Sequence, residues 1–133
     1  TGVNVEQNVL LTRLQVATQG NLFTSIDISK NINLTQLSVF DNQLTSINTD
    51  NNLKINFLIV RSNPMTTLNV SHLNLLETLV TFDTQIEILD LSNNNNLTTL
   101  LAENGSLQSI NLKNGSNSLF SYIDLRNFKL VYK

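Results

Sequence analysis

Leu34-Thr35-Gln36-Leu37-Ser38-Val39-Phe40-Asp41-Asn42-Gln43-Leu44 is matched, 21 positions later, by Ile55-Asn56-Phe57-Leu58-Ile59-Val60-Arg61-Ser62-Asn63-Pro64-Met65, with the apolar sites at Leu34, Leu37, Val39 and Leu44 kept. A period of this length is the signature of a stacked solenoid, whose units cannot bury an apolar face alone and borrow it from their neighbours. Working outward, the first half of each unit reads L-x-x-L-x-V-x-x-N-x-L. Its copies centre on Leu14/Val16, Leu37/Val39, Leu58/Val60, Leu79/Thr81, Leu100/Ala102 and, more loosely, Tyr122/Asp124. Alternation with a period of two marks a short strand whose named residues face the core.

The second half reads x-S-I-D-I-S-x-N, with apolar pairs at Ile26/Ile28, Ile47/Thr49, Leu68/Val70, Leu89/Leu91 and Ile110/Leu112. Val3/Val5 fits as the tail of an earlier unit, so the sequence is expected to start in mid-repeat. Residues 119–133 form a last unit that is degenerate or truncated, and Phe128 to Lys133 match the repeat poorly. The pattern predicts one domain over 1–133 with about six first-half strands. It is a mainly β repeat solenoid, with short strand-like segments on the opposite side and little helix, because no stretch sustains a 3.6-residue pattern.

Composition narrows the function. Charged residues are only 14% of 133 and the net charge is −2, with no cluster of Lys and Arg of the kind that phosphate binding requires. The same balance argues against an anionic membrane surface, and no apolar run approaches the ~20 residues that cross a bilayer. No charged start precedes an apolar segment, so any secretion signal is expected to have been removed or to lie outside this stretch. The absence of cysteine excludes disulfides, thiol catalysis and thiolate metal sites.

Asparagine recurs where the coil must turn. Asn21, Asn42 and Asn63 follow the first strand, where an inward amide can pair the backbone groups that a curved chain leaves open. Thr84 and Gly105 replace it later, so this ladder is expected to weaken toward the C-terminus. A second series, Asn8, Asn31, Asn52 and Asn94, ends the other half, where Asn suits left-handed turns. His72-Leu73-Asn74 and the run Asn93 to Asn96 share that corner, which reads as the loosest part of the coil.

These motifs resemble the leucine-rich repeat family, and the wording L-T-x-L-x-V-x-x-N-x-L-T-S-I-D-I-S-x-N is similar to the short secreted and surface repeats of Bacteroidetes, distantly like internalins. Ile110-Asn111-Leu112-Lys113-Asn114-Gly115-Ser116-Asn117 resembles wording found late in such arrays. The resemblance implies a right-handed coil with a concave parallel sheet, and binding as its business. Branch members often carry Cys at the second core position of the first strand, where Val16, Val39, Val60, Thr81 and Ala102 stand here. Polar Thr81 and small Ala102 imply a thinner core in the later units.

In that architecture the residues between the core positions line the concave sheet. The central column is read as Gln15, Ser38, Ile59, Val80, Leu101, Ile123, and the next as Ala17, Phe40, Arg61, Phe82, Glu103, Leu125. From the third unit the central column turns apolar where family members tend to be polar, and Phe57 adds an aromatic on the N-terminal flank. Phe40, Phe57, Ile59, Arg61, Val80, Phe82, Leu101 and Glu103 are therefore the candidate partner-binding residues, an apolar patch with a polar rim.

Catalytic signals are nearly absent. His72 is the only histidine and has no triad written around it. Asp27 and Asp90 share an outward position with Asn4, Asn48, Asn69 and Asn111 and read as solvated surface, and no dense acidic spacing suits calcium. The N-x-S/T triplets at Asn33, Asn69, Asn96, Asn104 and Asn114 largely fall out of the repeat itself, and the Asn-Gly pairs read as turns. The expectation is a secreted or surface-displayed bacterial binder, not an enzyme, without cofactor or metal. Its partner is a protein first and a peptide or glycan next, not nucleic acid, with no membrane insertion, and a homodimer through the strip is a further option. The competing reading is a stalk or spacer repeat of an adhesin whose strip is buried by self-association or a flanking domain. A remoter one is ice binding on the hydroxyl rows Thr24, Thr45, Thr66 and Ser25, Ser46, Thr67, Ser109.

Overall fold

A computed structural model describes residues 3–17, 23–115 and 117–127 of the chain, and in it the repeats wind into a β-solenoid with almost no helix. The expected residues Asn21 and Phe128 to Lys133 lie outside the described residues. Each first half supplies one three-residue strand: β1 (Arg13–Gln15), β2 (Gln36–Ser38), β3 (Phe57–Ile59), β4 (Thr78–Val80), β6 (Thr99–Leu101) and β8 (Tyr122–Asp124). They form a six-stranded sheet, ordered β1-β2-β3-β4-β6-β8, with parallel pairing throughout. The middle residue of each strand points inward, so Leu14, Leu37, Leu58, Leu79 and Leu100 stack as one column. Val16, Val39, Val60, Thr81 and Ala102 form the next, also buried. Leu34/Ile55/Leu76/Leu97 and Leu44/Met65/Ile86/Leu107 close the interior. Fully burying one such side chain contributes about 1.5–3 kcal/mol, and each coil obtains it only from the coils above and below.

Four expectations are corrected. The last strand is shifted by one residue, because Leu100 pairs with Ile123 and not Tyr122. By register Ile123 and Leu125 therefore align with the two core columns, Ile123 remaining 40% exposed at the end of the stack, while Asp124 and Arg126 align with the outward ones. The spacing from Leu100 to Ile123 is then 23, as from Leu14 to Leu37, and the added residues pass through a 3-10 turn at Asn117–Leu119. Second, regular strands on the opposite side are confined, among the described residues, to β5 (Ile88–Asp90) paired with β7 (Ser109–Asn111), plus an isolated bridge from Asn4 to Asp27. The segments around Ile47/Thr49 and Leu68/Val70 are not strands, so the exposed hydroxyl rows do not stand on a continuous flat sheet.

Third, among the described residues the non-glycine left-handed positions lie just past the main sheet, and at the second asparagine series only Gly115, after Asn114, has a positive φ, 74°. Asp41, Ser62, Asp83, Asn104 and Asn127 have φ of 57°, 53°, 55°, 54° and 61°. Short polar side chains tolerate this conformation best, which suits the Asp and Asn that hold four of the five positions. Fourth, the second series is an interior ladder from Asn31 onward, Asn31, Asn52 and Asn94 being buried and Asn8 exposed. Asn31 Nδ2 donates to Val5 O at 3.0 Å and Asn8 O at 2.9 Å, and Asn52 Nδ2 does the same to Ile28 O and Asn31 O at 3.0 and 2.9 Å. Asn94 repeats it with Val70 O and Leu73 O at 2.9 and 3.0 Å. Leu73 holds the rung between them and is fully buried. One coil earlier, buried Thr49 stands in an otherwise mostly aliphatic column, and its hydroxyl meets Nε2 of His72, which precedes Leu73, at 3.0 Å.

Asn42 and Asn63 also turn inward as expected. Asn42 Nδ2 donates to Val16 O and Phe40 O at 3.1 and 2.8 Å, and Asn63 Nδ2 to Val39 O at 2.6 Å and Val60 O at 3.0 Å. Thr84 keeps only a local bond, Oγ1 to Thr81 O at 2.8 Å. At Gly105 a Cβ would lie 3.1 Å from the Thr84 carbonyl oxygen, so the coil passes too closely there for a side chain without adjustment.

Candidate binding surface on the six-stranded sheet

The outward residues of successive strands fall into columns by the same pairing that stacks the core. Arg13, Gln36, Phe57, Thr78, Thr99 and Tyr122 are one column, and Gln15, Ser38, Ile59, Val80, Leu101 and Asp124 the next. A third, one pleat further, runs Ala17, Phe40, Arg61, Phe82, Glu103, Arg126. The sheet thus brings Phe57, Ile59, Val80 and Leu101 onto one face beside Phe40, Arg61 and Phe82. Val80 is only 6% exposed and forms the floor, whereas Phe40, Phe57, Ile59, Arg61, Phe82, Leu101 and Glu103 are half-buried. Neighbours one coil away cover the middle of the strip, which a single strand read in isolation does not reveal.

Arg61 holds the centre. Its guanidinium carbon lies 4.2 Å from the Phe40 ring centroid and 5.2 Å from that of Phe82, so the cation is flanked by two aromatic rings. Its Nη1 bonds Asp41 Oδ1 at 3.2 Å and Ser62 Oγ at 3.4 Å. Four interactions from three coils fix a long side chain that would otherwise lose much rotamer entropy on binding a partner. At the N-terminal end, Arg13, Gln15, Gln36, Ser38 and Phe57 line a hollow of about 200 Å³.

The C-terminal end carries a charge network that the one-residue slip concealed. Arg126 bridges Asp124 Oδ2 at 2.7 Å and Glu103 Oε2 at 2.8 Å, and Tyr122 Oη donates to Asp124 at 3.3 Å. The Arg126 side chain, its amide and its charge hold the Asp124 carboxyl below its usual range, and Asp124, then Glu103, push the Arg126 guanidinium above its own. Tyr122, Asp124 and Arg126 therefore belong to the face, and the repeated 23-residue spacing was the signal that could have found them.

A second apolar surface was also missed. Val9, Leu10, Ile32, Leu53 and Leu75 stand exposed at the corner just after the asparagine ladder, Leu10 at 82%. They occupy the two positions between each ladder residue and the next core leucine or isoleucine, a pattern that reads as loop in any single repeat. Elsewhere, His72 Nδ1 lies 4.0 Å from Asp50, and among the described residues no group of three His, Cys, Asp or Glu is placed to hold a metal ion. No helix among them is long and apolar enough to cross a membrane.

Comparison with solved structures places this geometry. The functional domain of InlJ from Listeria monocytogenes, which includes a cysteine ladder, superposes with a TM-score of 0.82 at 28% identity, over 98% of this chain and 33% of that one. A leucine-rich repeat protein of Leptospira interrogans gives 0.78 at 23% identity over 94% and 34%. The chain folds as a leucine-rich repeat solenoid. An internalin, InlF, from Listeria monocytogenes gives 0.75 at 23% identity over 92% and 37%. The chain thus spans about a third of the length of each of these proteins. No protein-family model matches its sequence, and no curated protein does. Lacking cysteine, the chain fills its stacked interior columns with aliphatic side chains and buried asparagines.

Proposed function

We propose that this leucine-rich repeat is a non-enzymatic binding module, secreted or displayed at a cell surface, that recognises another protein through the outer face of its six-stranded sheet. The observation that carries the reading is the continuous row Phe57, Ile59, Val80 and Leu101 beside the Phe40-Arg61-Phe82 stack. An apolar centre with charged and amide groups at its edge is how binding patches are built, and a rigid centre lowers the entropic cost of association. The similarity to internalins supports the same reading and its extracellular setting.

A random peptide display library selected on the immobilised chain tests it. Selected peptides should bind wild type and a Thr45→Asp variant on the opposite side alike, and should lose at least tenfold in affinity for an Ile59→Asp/Phe82→Asp variant whose far-ultraviolet dichroism is unchanged. Should the aspartates disturb folding, Ile59→Ser/Phe82→Ser provides the milder comparison. Retained affinity in a folded double variant rejects this face as the binding surface.

A further inference from the structure

Charge is distributed unevenly over the sheet face. Arg13 stands alone at the N-terminal end, and the centre is apolar. Arg61, the one cation amid the strip, is already engaged by Asp41 at 3.2 Å. At the other end Glu103 and Asp124 share the single guanidinium of Arg126. Asp83 is exposed and makes no ion pair among the described residues, and its amide bonds the Glu103 carbonyl oxygen at 3.3 Å, so two acidic residues sit on adjacent coils. The edge that runs on from Phe82 therefore carries uncompensated negative charge.

Beside that edge lies an open groove of about 410 Å³, with Gln43, Ser62, Asp83, Gln85 and Asn104 along it. Its lining holds a carboxylate, hydroxyls and amide oxygens but no Lys, Arg or His, so it offers acceptors to a cation and nothing to balance an anion. Phe82 and Asp83 are consecutive, which makes the apolar strip and the groove continuous.

We infer that the partner segment is apolar with an adjacent lysine or arginine, its apolar side chains lying over Ile59, Val80 and Leu101 and its cation reaching into the groove at Asp83. The inference rests on the sheet-face reading above and adds the chemistry of the partner. A long basic side chain suits both halves of the path, because its methylene stem can lie against Phe82 while its head stays hydrated at the carboxylate. An acidic segment would meet Asp83 and Glu103 as like charges, a discrimination that electrostatic complementarity exerts mainly on partner choice.

The same display selection, run in parallel on wild type and on Asp83→Asn, tests this. Wild type should enrich peptides that join aromatic or aliphatic residues to Lys or Arg. Synthetic copies in which that basic residue becomes Glu should bind about three- to tenfold more weakly, a contrast that vanishes on Asp83→Asn and narrows with added salt. Pools equally rich in acidic residues, or a preference for basic residues that survives Asp83→Asn, overturn the inference while leaving the sheet face as the binding surface. Peptides whose affinity ignores Ile59→Asp/Phe82→Asp, or no enrichment on wild type, overturn the sheet-face reading and the inference together. Concentration-dependent dimerisation of the chain that is abolished by Phe82→Asp would assign the strip to a second copy and overturn both.

Discussion

Asp27 and Asp90 show how much one outward position does. Each accepts a hydrogen bond from the amide two residues on, Ser29 at 2.9 Å and Ser92 at 2.9 Å, closing an Asx turn at the same point of its coil. Asn4, Asn48, Asn69 and Asn111 make the same bond to Glu6, Asp50, Ser71 and Lys113. The sequence showed the outward direction of this column but not its turn-forming role, because side-chain closure depends on a backbone path that periodicity does not specify. The Ser29 amide and then its hydroxyl hold Asp27 below its usual 3.8, and Ser92 does the same for Asp90. A lowered folded-state value means stabilisation that is present above the ordinary carboxylate range and is lost as pH falls through the folded value. Asparagine makes the bond without titrating. Asp27→Asn/Asp90→Asn should therefore show a shallower loss of stability below about pH 4, measured by urea unfolding across pH; an unchanged acid limb contradicts this role.

At the scale of the element, each strand is three residues long and commits one of them to the core. Stability therefore resides in columns that cross strands. The column Val16, Val39, Val60, Thr81, Ala102 was legible from the repeat, as was its weakening at the fourth and fifth copies, because inward positions keep their chemistry from unit to unit. Thr81 is 4% exposed, and among the described residues its hydroxyl makes no hydrogen bond, whereas those of Thr49 and Thr84 each make one. Thr81→Val restores the aliphatic column at nearly constant volume. It should raise the unfolding free energy by about 1 kcal/mol, read as a shift of the urea midpoint at constant m-value, and a destabilised variant would show that the hydroxyl is used. The strip was harder to read for a related reason. Ile59 and Leu101 flank Val80 on adjacent strands, and their contact turns a residue expected at the surface into its floor.

For the molecule as a whole, each coil pairs only with its neighbours, so stability is close to a sum of repeats and the interfaces between them. Deleting residues 42–62 joins Asp41 to Asn63, which takes the place of Asn42 in the turn and keeps every column in register. The shortened chain should retain its dichroism and a single cooperative transition at lower temperature, while losing binding because Phe57, Ile59 and Arg61 are gone. Deleting residues 42–51 removes half a coil, puts outward residues into core columns and should prevent folding. Equal behaviour of the two deletions in thermal melts would contradict the repeat-by-repeat account.

The sequence by itself determined the solenoid, its period, the inward columns of five strands and the inward asparagines after the sheet. It could do so because a buried position imposes the same requirement in every coil and therefore repeats. Tertiary structure alone decided the register of β8, the buried ladder of Asn31, Asn52 and Asn94, the covering of Val80, the exposed corner at Leu10 and the flanking of Arg61 by two phenylalanines. These arise where one coil meets the next, and a contact between coils becomes visible only once the windings are stacked about 5 Å apart.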